Sequence, residues 1–375
     1  MRIAAYITPK SFTNPTGQAK HAINMLLCLA RRPDIELTLL AAKDQLTGDG
    51  RIPEGSPLHG MPLRSIPLPA RVLHFLWRTY NWPPVDRWWG QVDWVYSPTE
   101  MYVPARNARI AATIHCVNWF EKELPWANTD ENLQTRRRMA KVFRPIIHHA
   151  DLICTVSEFL KGRICELLGA NPSRIAVVSN GVEEAFFAEG HQGVASAKPD
   201  SEPYILSVGA LESRKGAEHL IALARHLAHA APYLKLVVGA GRYGNPKFIS
   251  EAGQMPNVLL NGYLGGDELP RLIKGARALV ILSRYETFGI PVIEAMAVGT
   301  PVIAARFAAL PEIVGGAGIV VDATQPAEVL TALLALNDVE QRAHYRRLGF
   351  QRVQQFTWEA CASRLLASMK EAAHE

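Results

Sequence analysis

The feature that most constrains the fold of this chain is a rhythm that runs through it twice. Short apolar runs alternate with longer amphipathic stretches. In the first half the runs cover 2–8, 36–42, 63–69, 94–99, 109–115, 152–157 and 175–181. They are rich in Val, Ile, Leu and Ala, and several end in Thr, Ser, His or Gly. Unbroken apolar runs of this kind suit strands buried on both faces of a parallel sheet. Helix-like segments such as 18–31 and 158–168 lie between them, so the alternation predicts βαβ units. Around 188–203 periodicity stops, and Gly, Ser, Ala, Pro and charged residues predict a linker. The runs then restart at 204–209, 234–238, 258–263, 278–283, 301–305 and 318–322. A helix is expected over 216–230, where Leu220, Ile221, Leu223, Ala224 and Leu227 fall at helical spacing. The expected organisation is a first domain over 1–187, a linker over 188–203, a second domain over 204–356 and a final helix over 357–375. Both domains are read as α/β, doubly wound parallel sheets of Rossmann type.

A length of 375 residues favours two domains of ordinary size. With 48% hydrophobic and 20% charged residues the composition is globular and neither disordered nor fibrous. The formal net charge of +5 suits phosphorylated ligands or an anionic surface, and is too small to argue for nucleic acid. The five cysteines are scattered and form no C-x-x-C pair, which points to a reducing cytoplasm and not to a disulfide framework. The start of the chain reads as a β-run and not as a signal peptide. No stretch approaches the ~18 uninterrupted apolar residues of a membrane-spanning helix. The expectation is a cytoplasmic protein that can still lie on the inner face of a membrane.

The most informative segment is Ser283 to Ile303. A strand runs into a short loop holding Glu286; Gly289 follows, then a helix with Pro291 in its first turn, where a missing N–H costs little. Gly299 stands at the helix C-terminal cap and the next strand follows. Ligands of open α/β sheets bind beyond the carboxyl ends of the strands. That is where Glu286 and the free N–H groups of Phe288, Gly289 and Ile290 are expected. A helix N-terminus attracts phosphate, and a glycine there lets a ligand approach the backbone. A carboxylate one turn in, Glu294, can accept two hydrogen bonds from a ribose diol, and Glu286 can hold hexose hydroxyls. Taken singly, each is as well read as an exposed acid.

These residues carry a resemblance. Glu286-x7-Glu294, with Phe-Gly-Ile-Pro between and Ala-Met-Ala-x-Gly-Thr-Pro-Val-Ile after, resembles the hallmark of glycosyltransferase family 4, whose members are retaining enzymes of two-domain GT-B fold. The likeness covers the second domain and is weaker over the first. It implies a donor-binding second domain, an acceptor-binding first domain facing it across a cleft, and a last helix crossing back to the first. It also implies that Lys215, with Arg214, grips the donor phosphates after the strand ending at Gly209. Two adjacent cations can neutralise a diphosphate; a solvated basic turn is the plainer reading. The chain departs from the family in having Ala210 where an Arg is frequent.

Val238-Gly-Ala-Gly-Arg-Tyr-Gly244 matches G-x-G-x-x-G. The loop follows the second strand of its domain and lacks the expected acid after the next strand, so Gly239 is read as lining a nucleotide cleft and not a nicotinamide site. In the first domain the resemblance places Gly17 where relatives carry paired glycines close to the donor phosphates and acceptor; it is read as a donor-binding position that allows close approach, or as part of an ordinary N-terminal helix loop. His115 ends a strand, and the resemblance implies that it contacts the donor sugar; Cys116 replaces the acid more frequent after it. Ser157 and Asn180-Gly181 end later strands and are read either as site residues or as caps and turns.

The chemistry expected is transfer of a hexose from a nucleotide sugar, with the charge on the leaving diphosphate stabilised by Lys215, Arg214 and the helix start at Phe288–Ile290. No cofactor and no metal are expected. His115, Lys215 and Glu286 are the expected catalytic residues. The sequence Glu-Ser-Arg-Lys-Gly together with Arg-Tyr-Glu-Thr-Phe-Gly-Ile-Pro is most similar to bacterial mannosyltransferase-like members using GDP-mannose, with UDP-hexoses close behind. Two further stretches, Arg71 to Trp89 and Arg136 to His149, mix cations with aromatics, which suits an anionic membrane interface and a lipid-linked saccharide acceptor. Core packing of the Trp residues is the alternative. A nucleotide-binding oxidoreductase using the Gly239–Gly244 loop, a phosphorylase or epimerase of similar fold, and a silent carbohydrate-binding protein remain as other classes.

Overall fold

Every apolar run named above contributes a strand in the computed structural model, which describes residues 1–9, 17–88, 91–191 and 203–374. The strands are β1 (Arg2–Tyr6), β2 (Glu36–Ala42), β3 (Leu63–Ile66), β4 (Trp94–Ser97), β5 (Arg109–Ile114), β6 (Leu152–Thr155) and β7 (Ile175–Val177). After them come β8 (Tyr204–Val208), β9 (Lys235–Gly239), β10 (Val258–Leu260), β11 (Leu279–Ile281), β12 (Val302–Ala305) and β13 (Ile319–Val321). They form two sheets, in the orders β3-β2-β1-β4-β5-β6-β7 and β10-β9-β8-β11-β12-β13. All pairings are parallel, for example Ile3↔Leu37 on one side of β1 and Ile3↔Trp94 on the other. Helices connect most successive strands, β2–β3 having only the short 3₁₀ turn Lys43–Gln45 and β4–β5 no helix, and they cover both faces of each sheet. That is why β4 and β12 are buried at every residue and read as unbroken apolar runs.

The chain divides into two units, Met1–Asn180 with Trp358–Glu375, and Gly181–Thr357. The last helix, Trp358–His374, joins the first unit because Trp358, Cys361, Leu365 and Met369 pack in one apolar core with Leu26 and Leu29 of helix Gly17–Ala30. Burying side chains of this size contributes about 1.5–3 kcal/mol each. The opposite face of that sheet is covered by helix Ala70–Tyr80 through Leu73 and Trp77.

The boundary between units falls at Asn180–Gly181, earlier than the expected 187. The cause is helix Glu184–His191, which packs wholly within the second unit. A Cβ at Gly190 would lie 2.2 Å from the Ala297 carbonyl oxygen, so only glycine allows this approach. Lys274 Nζ donates to the Glu189 carbonyl at 2.6 Å and to its carboxylate at 3.1 Å. Residues 188–191 of the expected linker therefore belong to a helix, and 192–202 lie outside the described residues.

In each sheet the strand order reverses direction once, between β1 and β4 and between β8 and β11. Connections leaving these two strands run to opposite faces, which opens a crevice at their carboxyl ends. Both candidate clusters lie there.

Candidate active site

In the second unit the cluster is built from loops after β8 and β11, the strands flanking the reversal. After β8 the chain turns through Ser213–Lys215 into helix Ala217–Ala230. Gly216, between them, has φ +75°, and a Cβ there would lie 2.0 Å from the Leu282 carbonyl oxygen. A glycine is therefore required for the two loops to meet. They are stitched further by Arg284 N–H and Tyr285 N–H, which donate to the Arg214 carbonyl at 3.0 and 3.3 Å. This contact brings together two residues expected to be catalytic: Lys215 Nζ donates to Glu286 Oε1 at 2.5 Å. The Ser283 hydroxyl donates to the same oxygen at 2.9 Å. Gly209 borders the Lys215 stem, its Cβ position 3.8 Å from Cδ.

Glu286 is buried. Burial alone would raise its carboxyl, but the charges of Lys215 and Arg214 and the two side-chain hydrogen bonds outweigh burial and hold it below the usual carboxylate range. The carboxylate is therefore ionised at neutral pH. A cation kept in place without solvent rearrangement is suited to receive a developing negative charge.

Gly289, φ +101°, precedes helix Ile290–Val298, whose start has no side-chain cap. Pro291 has no N–H and Val292 N–H donates to the Gly289 carbonyl at 2.9 Å, so the Ile290 N–H is the donor of the helix start left for an outside acceptor. The Phe288 ring is buried against Phe356 at 5.6 Å, so only its backbone could meet a ligand. Glu294 is buried and not the exposed helix acid of the plainer reading. Helix residues 292–298 are all buried, so the one carboxylate among them lies inside the unit. Arg214 has Glu212 at 3.9 Å.

The Gly239–Gly244 loop has a structural use for its last glycine. Gly244, φ +118°, passes so near Leu211 that a Cβ would lie 2.4 Å from its carbonyl oxygen. Leu211 N–H donates to Tyr243 O and Asn245 N–H to Leu211 O, both at 2.9 Å. The next helix, Pro246–Gly253, is capped by the Asn245 side chain and not opened by the glycines.

In the first unit the cluster lies after β1, β4 and β5. His115 is buried, and its Nε2 is 2.9 Å from the Pro98 carbonyl. A carbonyl only accepts, so Nε2 carries the proton and Nδ1 keeps its lone pair. Burial pushes the ring down to about 4, so it is neutral at pH 7. His21 lies edge-to-face against it, 4.7 Å between ring centres, and bonds Asn180 Oδ1 through Nδ1 at 2.9 Å. Burial and neighbouring His115 push His21 down to about 3. Gly17 begins helix Gly17–Ala30; residues 10–16 of its loop lie outside the described residues.

Ser157 takes the simpler of its two expected parts: its hydroxyl caps helix Glu158–Leu168 by accepting from Leu160 N–H at 3.1 Å. Three residues of these clusters were not singled out from sequence. Ser283 and Glu100 each follow a strand end, the rule that selected His115. His21 falls at an apolar helix position and had no such signal.

The two basic and aromatic stretches divide. Trp77 is core, and Arg136 is bonded to the Trp119 and Ala127 carbonyls. Val72, Phe75, Tyr80 and Trp82 are exposed, as are Arg137, Arg138, Lys141 and Arg144. Trp89 and the Trp88 side chain lie outside the described residues. No helix among the described residues is long and apolar enough to cross a membrane.

Known proteins share both halves of this arrangement. The family model for "Glycosyl transferases group 1" matches residues 192–351, and that for "Glycosyltransferase Family 4" matches 15–186. The chain belongs to glycosyltransferase family 4. This family 4 chain is 26% identical over 288 residues to O-antigen chain mannosyltransferase B of Escherichia coli, covering 74% of each chain. It is 31% identical over 229 residues to an MMP alpha-(1->4)-mannosyltransferase of Mycolicibacterium hassiacum, covering 59% of this chain and 54% of that one. The matches thus span from about half to three quarters of these relatives' lengths. Among solved structures, sucrose-phosphate synthase from Thermosynechococcus elongatus shares the fold with a TM-score of 0.68 and 21% identity, covering 100% of this chain and 99% of that one. Anabaena HepE, solved with UDP-glucose, does so with a TM-score of 0.67 and 16% identity, covering 99% and 100%. The fold is thus the GT-B type, and the family 4 chain is a glycosyltransferase.

Proposed function

We propose that this chain is a retaining hexosyltransferase that moves mannose from GDP-mannose to a lipid-linked saccharide acceptor, without a metal ion, in polysaccharide or glycolipid assembly. The observation that carries the reading is the Lys215–Glu286 pair at the strand-order reversal of the second unit, one loop away from the uncapped helix start at Gly289. Breaking the bond between the sugar C1 and the diphosphate leaves an oxocarbenium-like sugar and a leaving group that gains charge. Lys215 and Arg214 supply cations to that group, and the Gly289–Ile290 N–H groups supply dipoles. In this reading the leaving phosphate takes the acceptor's proton, so no side chain acts as a covalent nucleophile. Glu286 holds Lys215 extended before the donor arrives and meets hexose hydroxyls afterwards. Glu294 holds the ribose diol.

Mannose is favoured by the names of the Escherichia coli and Mycolicibacterium relatives. A saccharide acceptor is supported by the first of these names, which says O-antigen chain, and a lipid link by the exposed Phe75, Tyr80 and Trp82 and the exposed cations of helix Asp130–His149. Arg137, Lys141, Arg144 and His148 recur at three- and four-residue spacing and so form one stripe. Such a face suits an anionic cytoplasmic leaflet.

The deciding measurement is a thermal-shift screen with GDP, UDP, ADP, NAD and their sugar conjugates, since a ligand that binds only the folded state raises its stability. A shift with GDP and GDP-mannose, lost in Glu294→Ala, is expected. A shift with UDP-hexoses alone would move the donor to that class, and a shift with NAD alone would overturn the transferase site. Turnover that survives a chelator is expected for metal independence. Absence of binding to anionic liposomes at low salt would remove the membrane acceptor.

A further inference from the structure

Glu100 has a costly position. It follows β4 and is half-buried, and among the described residues its hydrogen bonds come from neutral N–H groups and not from a cation. Gln18 Nε2 reaches both carboxylate oxygens, at 3.0 and 2.9 Å. His115 N–H donates to Oε1 at 3.0 Å. Burial pushes the carboxyl up to about 7, against hydrogen bonds that favour its charge. A buried carboxylate without a counter-charge destabilises the fold, so its position calls for a reason other than stability.

The geometry gives one. The segment Pro98–Glu100 grips His115 at two points, the Pro98 carbonyl holding the ring Nε2–H and Glu100 holding the backbone N–H. Its own turn is fixed by Ser97 Oγ and Met101 N–H, which both bond Thr99 O, at 3.0 and 2.7 Å. The same carboxylate reaches Gln18, directly after Gly17 in the first turn of helix Gly17–Ala30. One side chain thus sets the spacing between the helix start after β1 and the loop after β5, on either side of the strand-order reversal.

We infer that Glu100 is a positioning residue: it holds His115 and the Gly17–Gln18 turn in the single arrangement that sugar transfer requires. A carboxylate suits this part because it accepts from several N–H groups at once and donates to none. A glutamine in its place turns an NH2 group toward those same donors. The inference rests on the transferase reading above, and it locates part of the reaction's geometry in the first unit.

The test compares Glu100→Gln and Gln18→Ala with the wild type. Gln18 is half-buried in a first helical turn, so its truncation leaves the core intact. Two measurements are made: amide hydrogen exchange over 17–24 and 113–118, and kinetics with the active nucleotide sugar. Expected in both variants are faster exchange confined to those two stretches and a kcat lower by about 10- to 100-fold, as for a displaced catalytic group. The apparent donor KM and the nucleotide-induced thermal shift stay within about twofold, because the donor site of the second unit is untouched. Unchanged exchange in Gln18→Ala, or faster exchange with undiminished kcat in both variants, would overturn the positioning role. If no nucleotide sugar is turned over even by the wild type, the transferase proposal fails. The exchange result then decides by itself whether Glu100 orders the two segments.

Discussion

The two units have the same strand order about their first four strands and use it to opposite electrical ends. At the reversal in the second unit a buried carboxylate, Glu286, meets a lysine at 2.5 Å and is held below the usual range. At the reversal in the first unit another carboxylate, Glu100, meets only neutral N–H groups among the described residues, and burial lifts it to about 7. The nearby imidazoles of His21 and His115 are pushed down and stay uncharged. One topology thus yields a crevice with a lysine–carboxylate pair and another of hydrogen-bonding groups with uncharged imidazoles; under the proposed function the first receives a diphosphate and the second hydroxyls. The fold supplies the position, and the loop residues supply the charge.

The sharpest way to break this contrast is to remove the cation. Lys215→Ala is expected to lower kcat at saturating donor by about 10²–10³-fold, on the order of 3–4 kcal/mol of transition-state stabilisation. Steady-state kinetics check it. Unchanged turnover at saturating donor would mean that the second crevice does not stabilise the leaving group and that the electrical difference between the units has no catalytic meaning.

Next in size is the contact that creates the pair. Gly216→Ala places a methyl against the Leu282 carbonyl and a side chain at φ +75°. Overpacking and left-handed strain together are expected to cost about 3 kcal/mol. Urea unfolding of the variant is expected to show the loss in the transition of the second unit, with that of the first unmoved. Equal loss in both would deny that they are separate folding units.

The pH dependence separates the two carboxylates by sign. Glu286 is depressed in the folded state, so the stability it contributes is fully present above its unfolded pKa of about 4.5 and is lost as pH falls through the lower folded value. Glu100 is raised, so the folded state is favoured at low pH, and that advantage disappears as pH rises from about 4.5 through about 7. Denaturant titrations of Glu286→Gln and Glu100→Gln across pH 2 to 8 are expected to flatten opposite limbs of the wild-type curve. A common direction of change would remove the contrast.

Much of this was legible in the sequence, for identifiable reasons. The strands follow from apolar runs because a strand buried on both faces carries few polar residues to blur it; the edge strand β3, Leu-Arg-Ser-Ile with Arg64 and Ser65 exposed, is less purely apolar. The Glu286–Glu294 segment was legible because Pro291, Gly289 and Gly299 punctuate its helix at the positions where backbone rules place them. The burial of Glu294 was also available, since a helix reading Ile-Pro-Val-Ile-Glu-Ala-Met-Ala-Val has no polar face. The unit boundary was not, because helix Glu184–His191 is assigned by its fit against Ala297 and Lys274, and local pattern carries no trace of either. The Lys215–Glu286 pair joins residues 71 apart, and the Glu100–Gln18 bond residues 82 apart. Such contacts are set by which strands become neighbours, and periodicity does not encode that.

The smallest effect concerns two helix starts that follow strands in the same way. Helix Glu158–Leu168 begins with Ser157, whose hydroxyl satisfies the Leu160 N–H; helix Ile290–Val298 begins with Gly289, which has no side chain to do so. A capped start has one fewer N–H to offer a ligand, and an uncapped one gives up stability to keep its donors free. Ser157→Ala is therefore expected to destabilise the first unit by about 1 kcal/mol, read from its urea midpoint, and to leave the nucleotide-induced thermal shift unchanged. Gly289→Ala is expected to change both: its methyl approaches Leu310 Cδ2 to 3.0 Å at φ +101°, which lowers the stability of the second unit, and crowds the N–H groups, so the nucleotide shift falls. If Ser157→Ala also reduced the nucleotide shift, the ligand would depend on a helix start in the first unit, and the division between a donor-binding and a positioning unit would have to be redrawn.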